Sequence, residues 1–411
     1  MTRQRRSSGF GLTPTPQLFE EQFAESFERV LNHSSWLQRR DPTLEYQRIC
    51  QEVEAAIRDE DDATRTLRQQ LLPALADSAR VEGAGVYQAD LGYVQQLQYD
   101  ILFAGNAQAC DGISQIHDSL ATTIYQLGIA LVSYGGHENC WHQTLFRRDL
   151  RSHHPDASEQ VLALLQRREQ RPGSDHDSRE QMTELARRGI LLFMEREILT
   201  HVATALWRIG HGSPAPLEMV ATGYSDLVVR SIRLIRALLA HERFLFVASD
   251  QSNRMLATIG NCLRPMEFVV IDSLNHYPGL KLDHWNPDFP AGADLRWNPS
   301  DAEPIPLHEW LRRFREEVAT QMVYGLFRAS PLAPARVFFA HRKHSHTAAH
   351  LALADSCMLE VRGFPLLIDL ADRTCRAIYG GGTLQEMTEA AYARAGVPFP
   401  YPSEQDTRLW R

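Results

Sequence analysis

The stretch LEMVATGYSDLVVRSIRLIRALLAHERFLFVASD, residues 217–250, has three parts with different apolar patterns. Its pattern predicts a strand over residues 217–223, an amphipathic helix over residues 225–241, and a second strand over residues 243–250. A strand, a helix and a strand at this spacing form a βαβ unit, in which a right-handed crossover places the two strands parallel. The stretch therefore predicts an α/β protein built on a mixed sheet.

The segments on either side add strands and helices to this unit. The run TIYQLGIALVSYGG from Thr123 has strand character, and the segment from Cys140 to Leu150 is predicted to be its hairpin return. A helix of about thirty residues is predicted over residues 177–209, because its apolar positions keep helical spacing and two glycines follow. Further predictions are a strand over residues 336–342 and an extended segment that continues into a helix over residues 364–382.

The N-terminal part differs from the rest, because residues 17–78 have apolar positions at helical spacing throughout. The fold class expected from the whole pattern is α/β, a mixed sheet with flanking helices, preceded by a helical N-terminal region. The predicted organisation is a disordered basic tail (1–16), a helical region (17–82), a core (83–398) with a loop insertion rich in Pro, Asp and Trp (275–307), and a C-terminal tail (399–411).

Composition excludes several classes of protein. The chain has 411 residues and a net charge of −8, so a polyanion would have to bind a local basic face. We find no run of 18 apolar residues, which predicts no membrane contact through a spanning helix. The six cysteines form no CxxC pair, which favours a reducing compartment and a cytoplasmic protein. The phosphate-binding pattern GxxxxGK[ST] and the hydrolase pattern GxSxG do not occur.

Acidic side chains at three places are candidate ligands for a hard divalent cation. Asp111 precedes a predicted strand and is followed by Gly112, although an Asp-Gly pair is also a common turn. Glu195 and Glu197 lie in an apolar helix, so at least one approaches the core; a salt bridge with a nearby arginine would also explain them. Asp250 ends a predicted strand, where it is a candidate ligand or a helix cap.

A histidine cluster offers a different chemistry. His341, His344, His346 and His350 lie close together, and the last two would share one helix face, a spacing suited to zinc. A polar turn that contacts phosphate through Arg342 and Lys343 is the alternative. His137, Cys140 and His142 could also bind zinc, but they are predicted to lie at a hairpin tip.

The order of these segments resembles the NurA nuclease family over roughly residues 105–395. That family begins its core with an Asp-Gly-Ser motif and a hairpin, where this chain has ACDGISQIHDSLATTIYQLGIALVSYGG from Ala109. A helix with a metal-binding glutamate follows, where this chain has FMEREILTHVATAL. The family then has two strands that end in acidic turns and a final Ala-His pair, where this chain has residues 218–256 and the segment FPLLIDLADRTCRA.

The resemblance implies an RNase H-like fold and a Mn²⁺- or Mg²⁺-dependent deoxyribonuclease. It implies DNA as substrate, a hexameric HerA-like ATPase as partner, a homodimer, and a role in DNA end processing, DNA repair or defence against foreign (phage) DNA. Asp111 and either Glu195 or Glu197 would be metal ligands. The second family aspartate falls on Ala221, for which Asp226 and Asp250 are the alternative replacements, and the closing histidine falls on Asp372. These losses give the alternative of a catalytically weakened adaptor or DNA-binding subunit of a translocase complex.

Several basic side chains are candidate contacts for DNA phosphates. Each of them lies at a predicted helix face or in a predicted turn: Arg230, Arg233, Arg342, Lys343 and Arg373. A simple solvated surface is the alternative for each of them. A third hypothesis for the whole chain is an unrelated α/β enzyme built on the cluster from His341 to His350.

Overall fold

The structure is a computed structural model. It describes residues 15–36, 42–77, 80–118, 123–147, 185–220, 225–249, 253–280, 296–298 and 301–399. The chain divides into two compact units, Met1–Ala63 and Thr64–Arg411. The first unit contains short helices without buried residues, and the second contains the sheet, its two core layers and every candidate residue discussed below.

Nine strands form one mixed sheet, in the order β1-β7-β8-β9-β6-β5-β2-β3-β4. Their bounds are β1 Gly85–Gln88, β2 Ala107–Asp118, β3 Thr123–Val132, β4 Glu138–Arg147, β5 Trp207–His211, β6 Phe244–Ala248, β7 Glu267–Ser273, β8 Met322–Arg328 and β9 Arg336–His341.

One half of this sheet has the strand order of an RNase H-like fold. Strands β2, β3 and β4 form an antiparallel meander, β5 pairs parallel with β2, and β6 pairs parallel with β5. The other four strands, β9, β8, β7 and β1, extend the sheet in antiparallel pairs beyond β6. The predicted fold class, an RNase H-like mixed sheet with flanking helices, is confirmed.

Twelve α-helices are described. They are α1 Pro16–Phe23, α2 Phe27–Leu31, α3 Pro42–Asp77, α4 Leu91–Leu97, α5 Ile190–His201, α6 Leu217–Val220, α7 Ser225–His241, α8 Arg254–Asn261, α9 Leu307–Arg313, α10 Ser345–Ser356, α11 Leu366–Tyr379 and α12 Gly381–Ala395.

The sheet separates two apolar layers, because successive strand residues point to opposite faces. The first layer packs α5, α7 and α9 against one face, through residues such as Leu191, Ile232 and Trp310. The second layer packs α4, α10 and α11 against the other face, through residues such as Leu97, Leu351 and Leu367. The long N-terminal helix α3 reaches the first layer with Leu71 and Leu75.

The prediction of one helix over residues 177–209 is wrong. Helix α5 ends at His201, and Trp207–His211 is strand β5. The side-chain Oε1 of Gln108 accepts hydrogen bonds from the backbone nitrogens of Thr204 (2.8 Å) and Ala205 (3.0 Å). These bonds hold the connection between α5 and β5 against β2. The part of this prediction that precedes Leu185 lies outside the described residues.

The prediction of a strand over residues 217–223 is also wrong, because Leu217–Val220 is the short helix α6. Residues 221–224, among them Ala221, lie outside the described residues. The βαβ unit itself is present, but its first strand is β5, ten residues earlier in the chain, followed by α7 and the parallel strand β6.

Other sequence predictions are confirmed. Strands β3 and β4 form the predicted hairpin, β9 lies within residues 336–342, and α11 starts after Pro365 and ends before Gly380. Helices α1, α2 and α3 occupy the predicted helical N-terminal region. Among the described residues, no helix is long and apolar enough to cross a membrane.

Candidate active site

The candidate site lies where β2 separates from β5. The parallel pairing of these strands ends with Cys110 beside Gly210, and β5 itself ends at His211. Strand β2 continues to Asp118 and pairs only with β3 on its other side. The carboxyl end of a parallel strand, beside a strand that runs on past it, leaves a crevice of the kind in which α/β proteins bind ligands.

Asp111 lies beside this crevice. It is not in a turn, as one alternative proposed, but in the middle of β2, opposite Ala130 of β3, and it is only 5% exposed. Its Oδ1 accepts a hydrogen bond from the backbone nitrogen of Gly112 (2.9 Å) and lies 3.2 Å from Nδ1 of His211. The carboxylate is therefore fixed against the strand edge rather than free in solvent.

Glu195 reaches the same point from α5. It is 6% exposed, and its Oε1 would lie 2.7 Å from a Cβ atom placed on Gly112. Only a glycine leaves space for this carboxylate against the strand. Asp111 and Glu195 thus approach from two elements far apart in the chain, one on either side of the Gly112 backbone.

Burial and charge determine the protonation of this pair. The pKa of Glu195 is raised to about 7, mainly by burial; the charge of Arg196 opposes this rise and the charge of the Asp111 carboxylate adds to it. Burial also lowers the pKa of His211, but the hydrogen bond to Asp111 and its charge outweigh burial, so the pKa is raised. A cation between the two carboxylates would remove the repulsion that raises the pKa of Glu195.

Arg196 is buried beside Glu195 and forms hydrogen bonds that connect it to the end of β5. It is 2% exposed and donates to Oε2 of Glu195 (2.9 Å), to the carbonyl of His211 (3.1 Å) and to that of Ser213 (2.6 Å). Its guanidinium lies over the ring of Phe246, 5.4 Å from the ring centroid. One side chain therefore fixes both Glu195 and the loop after β5.

His211 and Ser249 belong to the site and were missed in the sequence. His211 is the last residue of β5 and Ser249 follows β6, and His211 Nε2 lies 3.0 Å from Ser249 Oγ. The imidazole thus joins Asp111 on β2 to the end of β6. The segment WRIGH would have signalled a strand that ends in a polar residue, but it continues the apolar period of α5 and was assigned to that helix.

The other described acidic candidates each have a basic partner on their own helix. Glu197 is half-exposed and lies 3.9 Å from His201 on the same helix. Asp372 on α11 accepts a hydrogen bond from Arg376 at 2.8 Å, and the exposed Asp226 pairs with Arg230 at the same distance. Asp250 lies outside the described residues. Of the two glutamates left open by the sequence, only Glu195 is at the strand edge.

The basic candidates are spread over the molecule. Arg230 and Arg233 are on α7, which packs on the first layer. Arg373 is on α11, which packs on the second layer, and its side chain pairs with Asp369 at 2.8 Å. Arg342 and Lys343 lie in the turn before α10. They do not share one face of the sheet, so a single DNA track through all five is not formed.

The histidine cluster packs as part of the core. His346 and His350 share one face of α10, as predicted, but His346 stacks edge-on against Tyr87 and His350 against Phe268. His350 Nδ1 lies 2.7 Å from the carbonyl of His346, and His346 Nε2 lies 3.1 Å from that of Gly83. Across the described part of the chain, no three His, Cys, Asp or Glu side chains are grouped as a metal site.

The donor set at the crevice nevertheless fits a hard cation. Among the described residues, Oδ2 of Asp111 and Oε1 of Glu195 have no hydrogen-bond donor, while the second oxygen of each is engaged. Mg²⁺ is commonly held by one or two carboxylates and keeps several waters, so two free carboxylate oxygens suit it or Mn²⁺. They do not suit zinc, which takes four protein ligands in structural sites and three in catalytic ones.

Comparison with known proteins gives a limited result. No family model matches the chain, and no curated protein matches it. Among solved structures, the NurA nuclease from Sulfolobus solfataricus is 9% identical with a TM-score of 0.43, over 86% of this chain and 99% of that one. A structure of NurA with manganese is 9% identical with a TM-score of 0.39, over 74% of this chain and 96% of that one.

A third structure, NurA bound to dAMP and manganese, is 8% identical with a TM-score of 0.40, over 80% of this chain and 93% of that one. At these identities and TM-scores, the likeness assigns no activity and no residue role to this chain. The assignment of an RNase H-like strand order rests only on the strand pairing observed in this chain.

Proposed function

We propose that this protein is a divalent-metal-dependent phosphodiesterase that cuts DNA, a nuclease of the NurA type. The observation that carries the proposal is the position of two buried carboxylates beside Gly112 on the unpaired edge of β2 in an RNase H-like sheet: Glu195 lies against Gly112, and the charge of Asp111 raises the pKa of Glu195. Each carboxylate offers one oxygen to a cation, and the crevice beside them is open at the carboxyl ends of β5 and β6.

Each of these residues has a separate role in phosphodiester hydrolysis. Asp111 and Glu195 would hold Mn²⁺ or Mg²⁺, and Arg196 fixes the Glu195 carboxylate through a hydrogen bond to Oε2. When bound, the cation supplies charge neutralisation at the phosphate and activation of a water molecule. His211 is oriented by Asp111 and Ser249, so its ring faces the crevice where a phosphate would enter.

The partners belong to the same proposal and rest on the order of sequence motifs. They are a HerA-like ATP-driven translocase and a second copy of this chain, acting in DNA end processing or in defence against foreign DNA. A translocase that feeds a strand to the crevice would supply the DNA affinity that a chain with a net charge of −8 does not supply by itself.

A second candidate function is a catalytically weakened adaptor that grips DNA within such a complex. It is favoured by His211, an imidazole at the end of the strand next to Asp111, and by the lack of a third acidic ligand at the crevice among the described residues. A cation held by only two carboxylates would bind weakly.

Two neighbouring glutamates on α5 provide a matched test. Purified protein is incubated with linear DNA and Mn²⁺, and cleavage is measured on a gel. We expect Asp111→Asn and Glu195→Gln to lower the cleavage rate by about a hundredfold or more, because each removes a metal ligand. Glu197→Gln, on the half-exposed face of the same helix, is expected to cleave at the wild-type rate.

Cleavage that persists in EDTA, or that is equal in the Asp111→Asn variant and the wild type, contradicts the nuclease proposal at this site. An uncleaved substrate under every metal condition, together with retained DNA binding in the presence of the motor, favours the adaptor instead.

A further inference from the structure

A cavity of about 850 Å³ lies at the edge of the sheet opposite the candidate active site. His211 ends β5, and Ser249 follows the carboxyl end of β6. The cavity is lined from Ser273 at the end of β7 and from the turn that follows β9. Strand β9 is antiparallel to β6, with Ala340 opposite Leu245, so its end lies where β6 begins. The cavity is therefore separate from the crevice of Asp111.

Four segments form the cavity wall: the loop before β1, the turn after β7, Thr320, and the start of α10. The loop is fixed to α10 because the carbonyl of Gly83 lies 3.1 Å from Nε2 of His346. Gly83 has a φ of +77°, which favours glycine, and a Cβ there would approach the same ring to 3.1 Å. The cavity is thus part of the packed fold of the second unit.

Three cationic side chains and one carboxylate line this cavity. Arg342 is exposed, and its guanidinium forms no ion pair or hydrogen bond with any described residue. Arg80 lies 2.9 Å from Nε2 of His276, whose Nδ1 is 3.1 Å from Asp272, and no described carboxylate pairs with Arg80 directly. Lys343 pairs with Glu242, and Glu82 is the one acidic side chain in the described wall.

Neutral donors lie between these charges. Ser345 and Thr347 are in the first turn of α10, a helix of twelve residues whose N-cap, His344, makes no side-chain cap hydrogen bond. The backbone N–H groups of this turn and the positive end of the helix dipole therefore face the side of the cavity that carries Arg342. Two guanidinium groups without carboxylate partners, hydroxyl groups and a helix start are a set of donors that matches phosphate oxygens.

We propose that this cavity binds the phosphate group of a nucleotide-sized phosphate ester. The cavity volume is within the range of ligand sites and far exceeds the space that inorganic phosphate fills. Arg80 and Arg342 bind the phosphate oxygens from two sides, and the hydroxyl group of Thr347 completes the contacts, since that of Ser345 donates to the carbonyl of Arg342 (3.3 Å). The ester is either a free nucleotide or the terminal phosphate of a nucleic acid strand, since both present the same group.

The full chain is tested in EDTA by isothermal titration calorimetry with AMP, inorganic phosphate, and a single-stranded oligonucleotide with or without a 5′-phosphate. We expect AMP or the phosphorylated oligonucleotide to bind at least tenfold more tightly than inorganic phosphate. Arg342→Ala and Arg80→Ala should each weaken this binding about tenfold, and Glu82→Gln should strengthen it about twofold to threefold, because it removes the opposing charge. Arg394→Ala, an exposed arginine on α12 outside the cavity, is the control.

Tighter binding of AMP identifies a free nucleotide as the source, and tighter binding of the 5′-phosphorylated strand identifies a strand end. The proposal is overturned if the wild type binds neither at millimolar concentration, or if Arg342→Ala and Arg80→Ala bind as tightly as Arg394→Ala. Binding should persist in Asp111→Asn, so loss of the proposed nuclease function and loss of this site are distinguishable.

Discussion

A buried carboxyl group makes the free energy of unfolding depend on pH. Asp355 on α10 is such a group, and it lies outside the crevice of Asp111. It is fully buried, accepts a hydrogen bond from Tyr134 (2.6 Å) and another from the backbone nitrogen of Leu367 (3.0 Å). Burial raises its pKa to about 6, although both hydrogen bonds oppose the rise. The folded state therefore keeps a proton over a pH range in which the unfolded chain has lost it.

The expected result follows from the sign of this shift. The folded pKa lies above the unfolded one, so Asp355 stabilises the fold fully below about pH 4 and loses this contribution as the pH rises through about 6. The change is about 3 kcal/mol. Thermal melts of wild type and Asp355→Asn at pH 4 to 7 should show the variant gaining relative stability as the pH rises.

Tyr134→Phe gives an independent check, because it removes a hydrogen bond that favours the ionised carboxylate. Its stability should fall more steeply with pH than that of the wild type. Parallel pH profiles for the wild type and both variants contradict a raised pKa for Asp355.

Single residues also mark how far the sequence predicts the candidate site. Asp111 followed by Gly112, and a glutamate in an apolar helix, make both carboxylates candidates from the sequence alone. The choice between Glu195 and Glu197 depends on the rotation of α5 relative to β2, and that rotation is set by packing between segments far apart in the chain. His211 could not be found while its strand was assigned to a helix.

At the scale of elements, the sequence predicts best the helices and strands that have a proline, a glycine or another helix-breaking residue at their ends. Helix α11 follows Pro365 and ends before Gly380. Proline is favoured where a helix starts because its φ is fixed and it has no N–H, and glycine is favoured where a helix ends because its backbone is flexible. The end of α5 has no such residue. Gln108, nearly a hundred residues earlier, binds the backbone after this helix, and a contact of that range leaves no mark on local periodicity.

A pair of charged side chains connects helix α3 to the sheet, in addition to the apolar contacts of Leu71 and Leu75. Both terminal nitrogens of Arg68 lie 2.7 Å from the carboxylate oxygens of Glu267, which begins β7 and is 5% exposed. Burial would raise the pKa of Glu267, but the hydrogen bonds from Arg68 and from the backbone nitrogen of Arg264 outweigh it and lower the pKa. The helix is thus bound to β7 by a bidentate contact.

We expect Arg68→Ala to lower the free energy of unfolding by about 2–3 kcal/mol, because it leaves a buried carboxylate without its main partner. Chemical denaturation measures the change. Arg29→Ala removes the exposed pair with Glu25 and should cost less than about 0.5 kcal/mol. Equal losses in the two variants would show that Arg68 does not support the attachment of α3.

At the scale of the whole molecule, the core belongs to the second unit. Neither apolar layer contains a described residue that precedes Leu71, and helices α1 and α2 bury no residue. The sequence predicted a helical N-terminal region before a separate core, but it could not show where the core begins, because α3 continues from the first unit into the second without a break in helical pattern.

A chain that begins at Thr64 should therefore keep a cooperative thermal transition, with a midpoint within about 5 °C of the full chain. Circular dichroism melts of the two proteins measure this. The truncated protein retains Arg68, Leu71 and Leu75, so the attachment of α3 to the first layer is preserved. A broad or absent transition would show that residues before Thr64 are required for the core.

The alternation of side chains along β2 has a practical consequence for any preparation of this protein. If β2 slipped by one position against β5, Cys110 or Gly112 would occupy the place of Asp111, and the carboxylate would face the wrong side of the sheet. Such molecules could keep most of their helices and strands and still be inert. Specific activity would then report the fraction of chains assembled in the correct register, and spectroscopic measures of secondary structure would not detect the defective ones.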